Sequence, residues 1–285
     1  MNILNSFRIT EYIQPLDPIP TSLKYSGKLD QNIRCVLFDI YGTLFISGSG
    51  DIGIAKKAFL QTEKLEELLR KFGIRKSLQT VLDELFTGIE KTHESLMQKG
   101  IDCPEVVIEK IWMRVFDNND ISEARAFALE FEWIVNPVYP MPHLSKMLSM
   151  CRELKVLMGI ISNAQFYTPD LFNQFLDSSP EDLGFDPALT LYSYACGHAK
   201  PSTFMFKTAA ERLQQKNIPV HSTLYIGNDM LNDIYPAKKT GFSTALFAGD
   251  ARSLRLREDN STCRNLSADL IITDLLQILD HIESS

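Results

Sequence analysis

The chain has 285 residues, of which 45% are hydrophobic, and a formal net charge of −7 from 36 acidic and 29 basic side chains. That is enough apolar material for one large domain or two smaller ones, and the acidic balance argues against a nucleic-acid partner or a polybasic membrane patch. No apolar run reaches the length of a membrane span, and residues 1–8 lack a signal-peptide core. The five cysteines, Cys35, Cys103, Cys151, Cys196 and Cys263, are scattered without metal-type pairing, so the expected setting is a reducing cytosol.

Residues 1–32 hold three prolines, Pro15, Pro18 and Pro20, and little periodicity, which predicts an extended N-terminal arm. The run Ile33-Arg34-Cys35-Val36-Leu37-Phe38 follows and stops at Asp39. It is short and rich in branched and aromatic residues, as a buried parallel strand is. Gly42 gives the chain freedom to turn after it, and Thr43 is placed to bond back to the carboxylate or the turn. Residues 46–51 read as a flexible link, with Ser47 to Gly50 a candidate hinge.

From about 53 to 135 the pattern is helical, with Leu65, Leu68, Leu69 and Phe72, then Val81, Leu82, Leu85 and Ile89, then Val107, Ile108, Ile111 and Trp112 at helical spacing. This predicts a bundle of about four helices inserted between two strands of a sheet domain. Strands and helices then alternate. Helices are expected over about 143–154, 169–176 and 202–214, strands over 155–161, 189–195, 223–226 and 242–247, and a short strand at 270–272 before a final helix. Such alternation predicts an α/β fold, a doubly wound parallel sheet with an inserted α-helical cap. The expected domains are the arm (1–32), the α/β core (33–50 and 136–285) and the cap (51–135).

Four strand ends present Asp39, then Ser162 and Asn163, then Lys200, then Asp229 with Asp233. In a parallel sheet these ends share one edge, where ligands bind. A carboxylate such as Asp39 can serve as nucleophile. Asp39 and Asp229 offer hard oxygens to a magnesium ion. Ser162 and Asn163 offer neutral hydrogen bonds, and Lys200 a point charge, to a phosphoryl group.

In these motifs the chain resembles the haloacid dehalogenase-like (HAD) superfamily over about residues 33–250. Asp39 matches the family's nucleophile, Ser162 its second-motif hydroxyl, Lys200 its third-motif lysine, and Asp229 and Asp233 its acidic fourth motif. The helical insertion resembles a C1-type cap. The resemblance implies a Rossmann-like core and hydrolase chemistry through an aspartyl intermediate.

Position 41 departs from the family's phosphatases, which carry there an Asp acting as general acid and base; here it is Tyr41. With a reference pKa of about 10, Tyr is a poor base at neutral pH. The stretch Asp39-Ile40-Tyr41-Gly42-Thr43-Leu44 also resembles the L-2-haloacid dehalogenase branch, whose halide leaves without a proton. The acidic fourth motif points the other way. Asp39, Asp229 and Asp233 outnumber Lys200, which asks for a divalent cation. Asn228 stands where an Asp would fall in an alternative register. The expectation is a magnesium-dependent phosphohydrolase of a small organic phosphate, with metal on Asp39, Tyr41, Asp229 and Asp233 and substrate contacts from Tyr41, Thr43 and Asn163. A metal-independent 2-haloacid hydrolase and a non-catalytic binding protein on the same scaffold are the alternatives.

Overall fold

Alternate residues of β2 (Cys35–Phe38) pack on opposite sides of the sheet: Val36 and Phe38 join one apolar cluster, Cys35 and Leu37 another. That is the period of a strand covered on both faces. The computed structural model describes residue 9, residues 12–48 and residues 61–282. The remaining strands are β1 (Ser26–Gly27), β3 (Phe45–Ser47), β4 (Val138–Pro140), β5 (Leu157–Ser162), β6 (Phe185–Tyr192), β7 (Thr223–Gly227), β8 (Ser243–Phe247) and β9 (Leu270–Ile272). Seven form one sheet in the order β1-β9-β8-β7-β2-β5-β6, parallel throughout except for antiparallel β1. The chain winds from β2 toward β5 and β6 on one side and later fills β7, β8 and β9 on the other. The carboxyl end of β2 therefore lies at the switch point, where an open α/β sheet leaves a crevice.

Between β3 and β4, which pair antiparallel with Ser47 opposite Val138, the described residues form four helices: α1 (Thr62–Lys71), α2 (Leu78–Met97), α3 (Ile108–Val115) and α4 (Ile121–Val135). Leu65, Leu68, Leu69, Val81, Leu82, Leu85 and Ile111 are buried as their spacing predicts. Trp112 sits at the centre of this insertion, with its ring centroid 4.7 Å from Phe127 and 4.9 Å from Phe131. Burying such rings is among the larger single contributions to a small core, roughly 2–3 kcal/mol each. The expected link and hinge are described only to Gly48; the rest of them, and residues 51–60 of the expected cap, lie outside the described residues.

Helices α5 (Leu144–Glu153), α6 (Asp170–Leu176), α7 (Phe204–Gln215) and α8 (Tyr235–Thr240) connect the core strands. Gly241, at φ 97°, ends α8 in the left-handed conformation that favours glycine. Two expectations shift. The strand near 189 begins at Phe185 and ends at Tyr192, so Cys196 lies in a short helical turn. The final helix is a 3-10 helix, Leu275–His281, capped by Asp274. Residues 13–32 of the arm run largely extended across the core. Buried Ile9 and Ile13 join the main cluster, and the Tyr12 ring packs at a tilt against Trp133 of α4, with centroids 5.4 Å apart. No described helix is long and apolar enough to cross a membrane.

Candidate active site

The end of β2 delivers Asp39 into the crevice with its backbone still in the ladder, its N–H donating to the Ile226 carbonyl. Its carboxylate is almost fully buried and asymmetrically held. Oδ1 accepts a hydrogen bond from Ser162 Oγ at 2.7 Å and another from Lys200 Nζ at 2.7 Å. Oδ2 has no hydrogen-bond partner among the described residues. One oxygen is thus anchored and the other unspent, at the wall of a cavity of about 300 Å³ that also touches Tyr41, Asn163, Lys200, Asn228, Asp229 and Asp233.

Lys200 is the hub. Its ammonium reaches Asp233 Oδ1 at 2.5 Å and the Tyr225 hydroxyl at 3.2 Å as well as Asp39. Burial alone would push a lysine down, but the carboxylates of Asp233 and Asp39 override it and hold Lys200 firmly charged. Asp233 is pushed up to about 7, burial outweighing the Lys200 charge. Asn163 does not point a free amide at a substrate as expected. Its Oδ1 accepts from the Lys200 N–H and its Nδ2 donates to the Lys200 carbonyl, so it fixes the lysine's backbone. Thr43 is fully buried and bonds to Asn228 Oδ1, not to the Asp39 carboxylate. It holds the first motif against the fourth and does not line the cavity.

The Tyr41 phenol lies 3.0 Å from Thr168 Oγ1 and is driven further up by burial, so it is a neutral wall and no proton shuttle. The expected metal set of Asp39, Tyr41, Asp229 and Asp233 does not assemble. Both Asp229 carboxylate oxygens take hydrogen bonds from Arg257, the shortest at 2.5 Å, while Oδ1 also caps the following turn through the Leu231 and Asn232 N–H groups. Asp233 spends Oδ1 on Lys200 and Tyr225 and Oδ2 on the Asp229 N–H. Among the described residues no three His, Cys, Asp or Glu side chains converge as a metal site. Asn228 fits better than Asp229. It lines the cavity, and its Oδ1 accepts one hydrogen bond, from Thr43, with a second lone pair to spare. One carboxylate and neutral oxygens suffice for a magnesium ion that keeps waters and completes its shell on a phosphate.

Sequence reasoning missed two cations. Arg257 neutralises Asp229. Arg255 lines the cavity with Nη1 on the Arg252 and Leu254 carbonyls and makes no ion pair among the described residues. Its backbone exchanges hydrogen bonds with the fourth motif, Arg255 N–H to the Asn228 carbonyl and Met230 N–H to the Arg255 carbonyl. Asp39, Asp229 and Asp233 therefore face three cations, not Lys200 alone, which weakens the charge argument drawn from those three carboxylates. Leu254 and Leu256 pack in an apolar cluster while Arg255 and Arg257 are directed to the site. That period-2 pattern was the legible signal. Glu105 and Glu132 also reach the cavity. Arg70, Arg75, Arg114 and Arg125 do not; Arg125 pairs with Glu109 at 3.0 Å. His198 stacks on Phe204, with ring centroids 4.1 Å apart.

The family model of the haloacid dehalogenase-like hydrolases matches residues 33–241. The chain belongs to this family. The match spans the nucleophile strand, the helical insertion and the fourth motif. Among solved structures the chain is similar to a 2-haloacid dehalogenase from Pseudomonas syringae pv. Tomato DC3000, at 18% identity and a TM-score of 0.54 over 87% of this chain and 97% of that one. It is similar to a HAD phosphatase from Thermococcus onnurineus at 18% identity and a TM-score of 0.52, over 88% and 99%. At this identity the likeness concerns the fold. No curated protein matches.

Proposed function

We propose that this HAD hydrolase cleaves a small organic phosphate through an aspartyl-phosphate on Asp39. The supporting observation is the asymmetric hold on Asp39: Oδ1 tied to Ser162 and Lys200, Oδ2 unspent toward the cavity. Oδ2 is the attacking oxygen. The two partners of Oδ1 fix the carboxylate plane, so little reorganisation precedes attack. Lys200 and Arg255 offset the phosphoryl charge from two sides, as preorganised cations do in a site partly shielded from water. Asp233 keeps Lys200 in place and Asn163 keeps its backbone in place. Asp39, the Tyr41 carbonyl and Asn228 are the groups that would hold a magnesium ion, which would further neutralise the phosphoryl oxygens.

The carbon–halogen reading draws support from Tyr41, since halide departure needs no acid. The cavity wall opposes it. Ser47, Glu105, Glu132 and Asn136 line the site, and a departing halide is better served by apolar or cationic neighbours than by carboxyl groups.

The test is a panel of phosphate esters and 2-haloacids, with magnesium or chelator, on wild type and Asp39→Asn. Turnover of an ester by the wild type and none by the variant supports the proposal. Halide release in chelator with no phosphatase activity overturns it.

A further inference from the structure

We propose that Glu132, from the cap, is the general acid and base that position 41 lacks. This rests on the phosphohydrolase reading above. Glu132 lies in the last turn of α4 and lines the same cavity as Asp39 and Tyr41. Its Oε2 accepts from the Tyr167 hydroxyl at 3.1 Å and its Oε1 from Asn136 Nδ2 at 2.8 Å. Asn136 in turn accepts from Ser47 Oγ at 2.9 Å. Ser47 and Asn136 stand where the chain leaves the core for the insertion and returns from it. Glu132 is therefore anchored at the root of the cap, beside the catalytic strand, and not at its far end.

Three observations favour it. First, Glu132 shares the cavity wall with Tyr41, whose own hydroxyl is turned to Thr168. Second, burial raises Glu132 above the ordinary carboxylate range, the direction that a general acid requires. Third, the rival Glu105, which burial also raises, accepts three hydrogen bonds to the two that Glu132 accepts. It accepts from the Val106 N–H, Gln165 Nε2 and Ser193 Oγ, a structural tie between cap and core.

The reaction balances in two steps. Asp39 Oδ2 bonds to phosphorus as the ester P–O bond breaks, and the Glu132 proton goes to the departing oxygen, giving the alcohol. The Glu132 carboxylate then takes a proton from water as that water attacks phosphorus. The Asp39–phosphorus bond breaks, inorganic phosphate leaves, and both carboxyl groups are restored.

The experiment measures kcat/KM, which reports the first phosphoryl transfer, for wild type, Glu132→Gln and Glu105→Gln. The substrates are phosphate monoesters whose leaving groups run from p-nitrophenol to simple alcohols, with thermal unfolding confirming that each variant is folded. Loss of a positioned acid costs about 10²–10⁴ only where the leaving group needs a proton. Glu132→Gln is expected to lose that factor on alkyl esters and less than about tenfold on p-nitrophenyl phosphate, steepening the leaving-group dependence. Equal losses on all esters, or no loss on alkyl esters, overturns the proposal. So does a steepened dependence in Glu105→Gln with none in Glu132→Gln. Absence of wild-type turnover on every ester refutes the phosphohydrolase reading, and the proposal with it.

Discussion

Asp229→Asn separates the two readings of the fourth motif. Asp229 and Arg257 form a largely buried pair, their side chains 7% and 26% exposed. Removing one partner of a buried pair costs about 3–5 kcal/mol, because the remaining charge is stranded. The partial exposure of Arg257 lets water screen it, so about 2–4 kcal/mol is the better figure. The capping role largely survives, since Asn keeps an oxygen for the Leu231 and Asn232 N–H groups. At roughly 2–4 °C per kcal/mol for a chain of this size, the melting temperature falls by about 5–15 °C. The magnesium concentration for half-maximal activity stays near the wild-type value, because Asp229 is not a ligand. Calorimetry and a magnesium titration of aryl phosphate turnover measure the two quantities on the same preparation. An unchanged melting temperature together with a large rise in the magnesium requirement would refute the reasoning and return Asp229 to the metal.

Asn228→Asp adds a carboxylate beside Asp39 and lowers the half-activating magnesium concentration by roughly tenfold; a titration showing no shift counts against the Asn228 assignment. The same change removes the Nδ2 donor to the Ser253 carbonyl, so stability in metal-free buffer drops by about 1–3 kcal/mol in urea denaturation. Lys200→Met strands Asp39 and Asp233 together and costs about 3–5 kcal/mol by the same denaturation assay, with turnover lost. The last prediction concerns pH. A carboxyl raised by burial adds stability that is complete below its unfolded pKa, near 4.5 for Glu, and is lost as pH climbs through its folded value. The melting temperature of the wild type therefore declines, as pH rises above that unfolded value, more steeply than that of Glu132→Gln; Asp233, pushed up to about 7, is common to both proteins. Parallel curves refute the buried proton on Glu132.

The sheet and its edge were readable because each strand is an apolar run ending at a polar group, and burial on both faces leaves no other use for such a run. Asp39 and Ser162 follow directly, since each stands at such an end; Lys200 lies in the loop after the helical turn that follows β6, and it still meets Asp39 within hydrogen-bond distance. The fourth motif was harder. Its strand ends at Gly227, and the residues beyond fold into an irregular helical turn, Met230–Ile234, so spacing alone could not say whether Asn228 or Asp229 faces the nucleophile. Arg255 and Arg257 escaped because they come from a loop far along the chain, and only the three-dimensional path brings that loop to the site. Glu105 and Glu132 escaped for a similar reason. On a helix or at its approach, a glutamate reads as solvated surface until packing buries it.

The arm and the arginine loop are stitched to one another. The Ile19 N–H donates to Asp250 Oδ1, the Ala251 N–H to the Ile19 carbonyl, Thr21 Oγ1 to the Ala248 carbonyl and Arg252 Nη2 to the Asp17 carbonyl. Two positive charges at the catalytic crevice thus owe their placement to residues more than two hundred positions upstream. A nick between Asp17 and Thr21 would leave every family motif intact and still disarm the crevice, by unfastening the segment that carries its counter-charges.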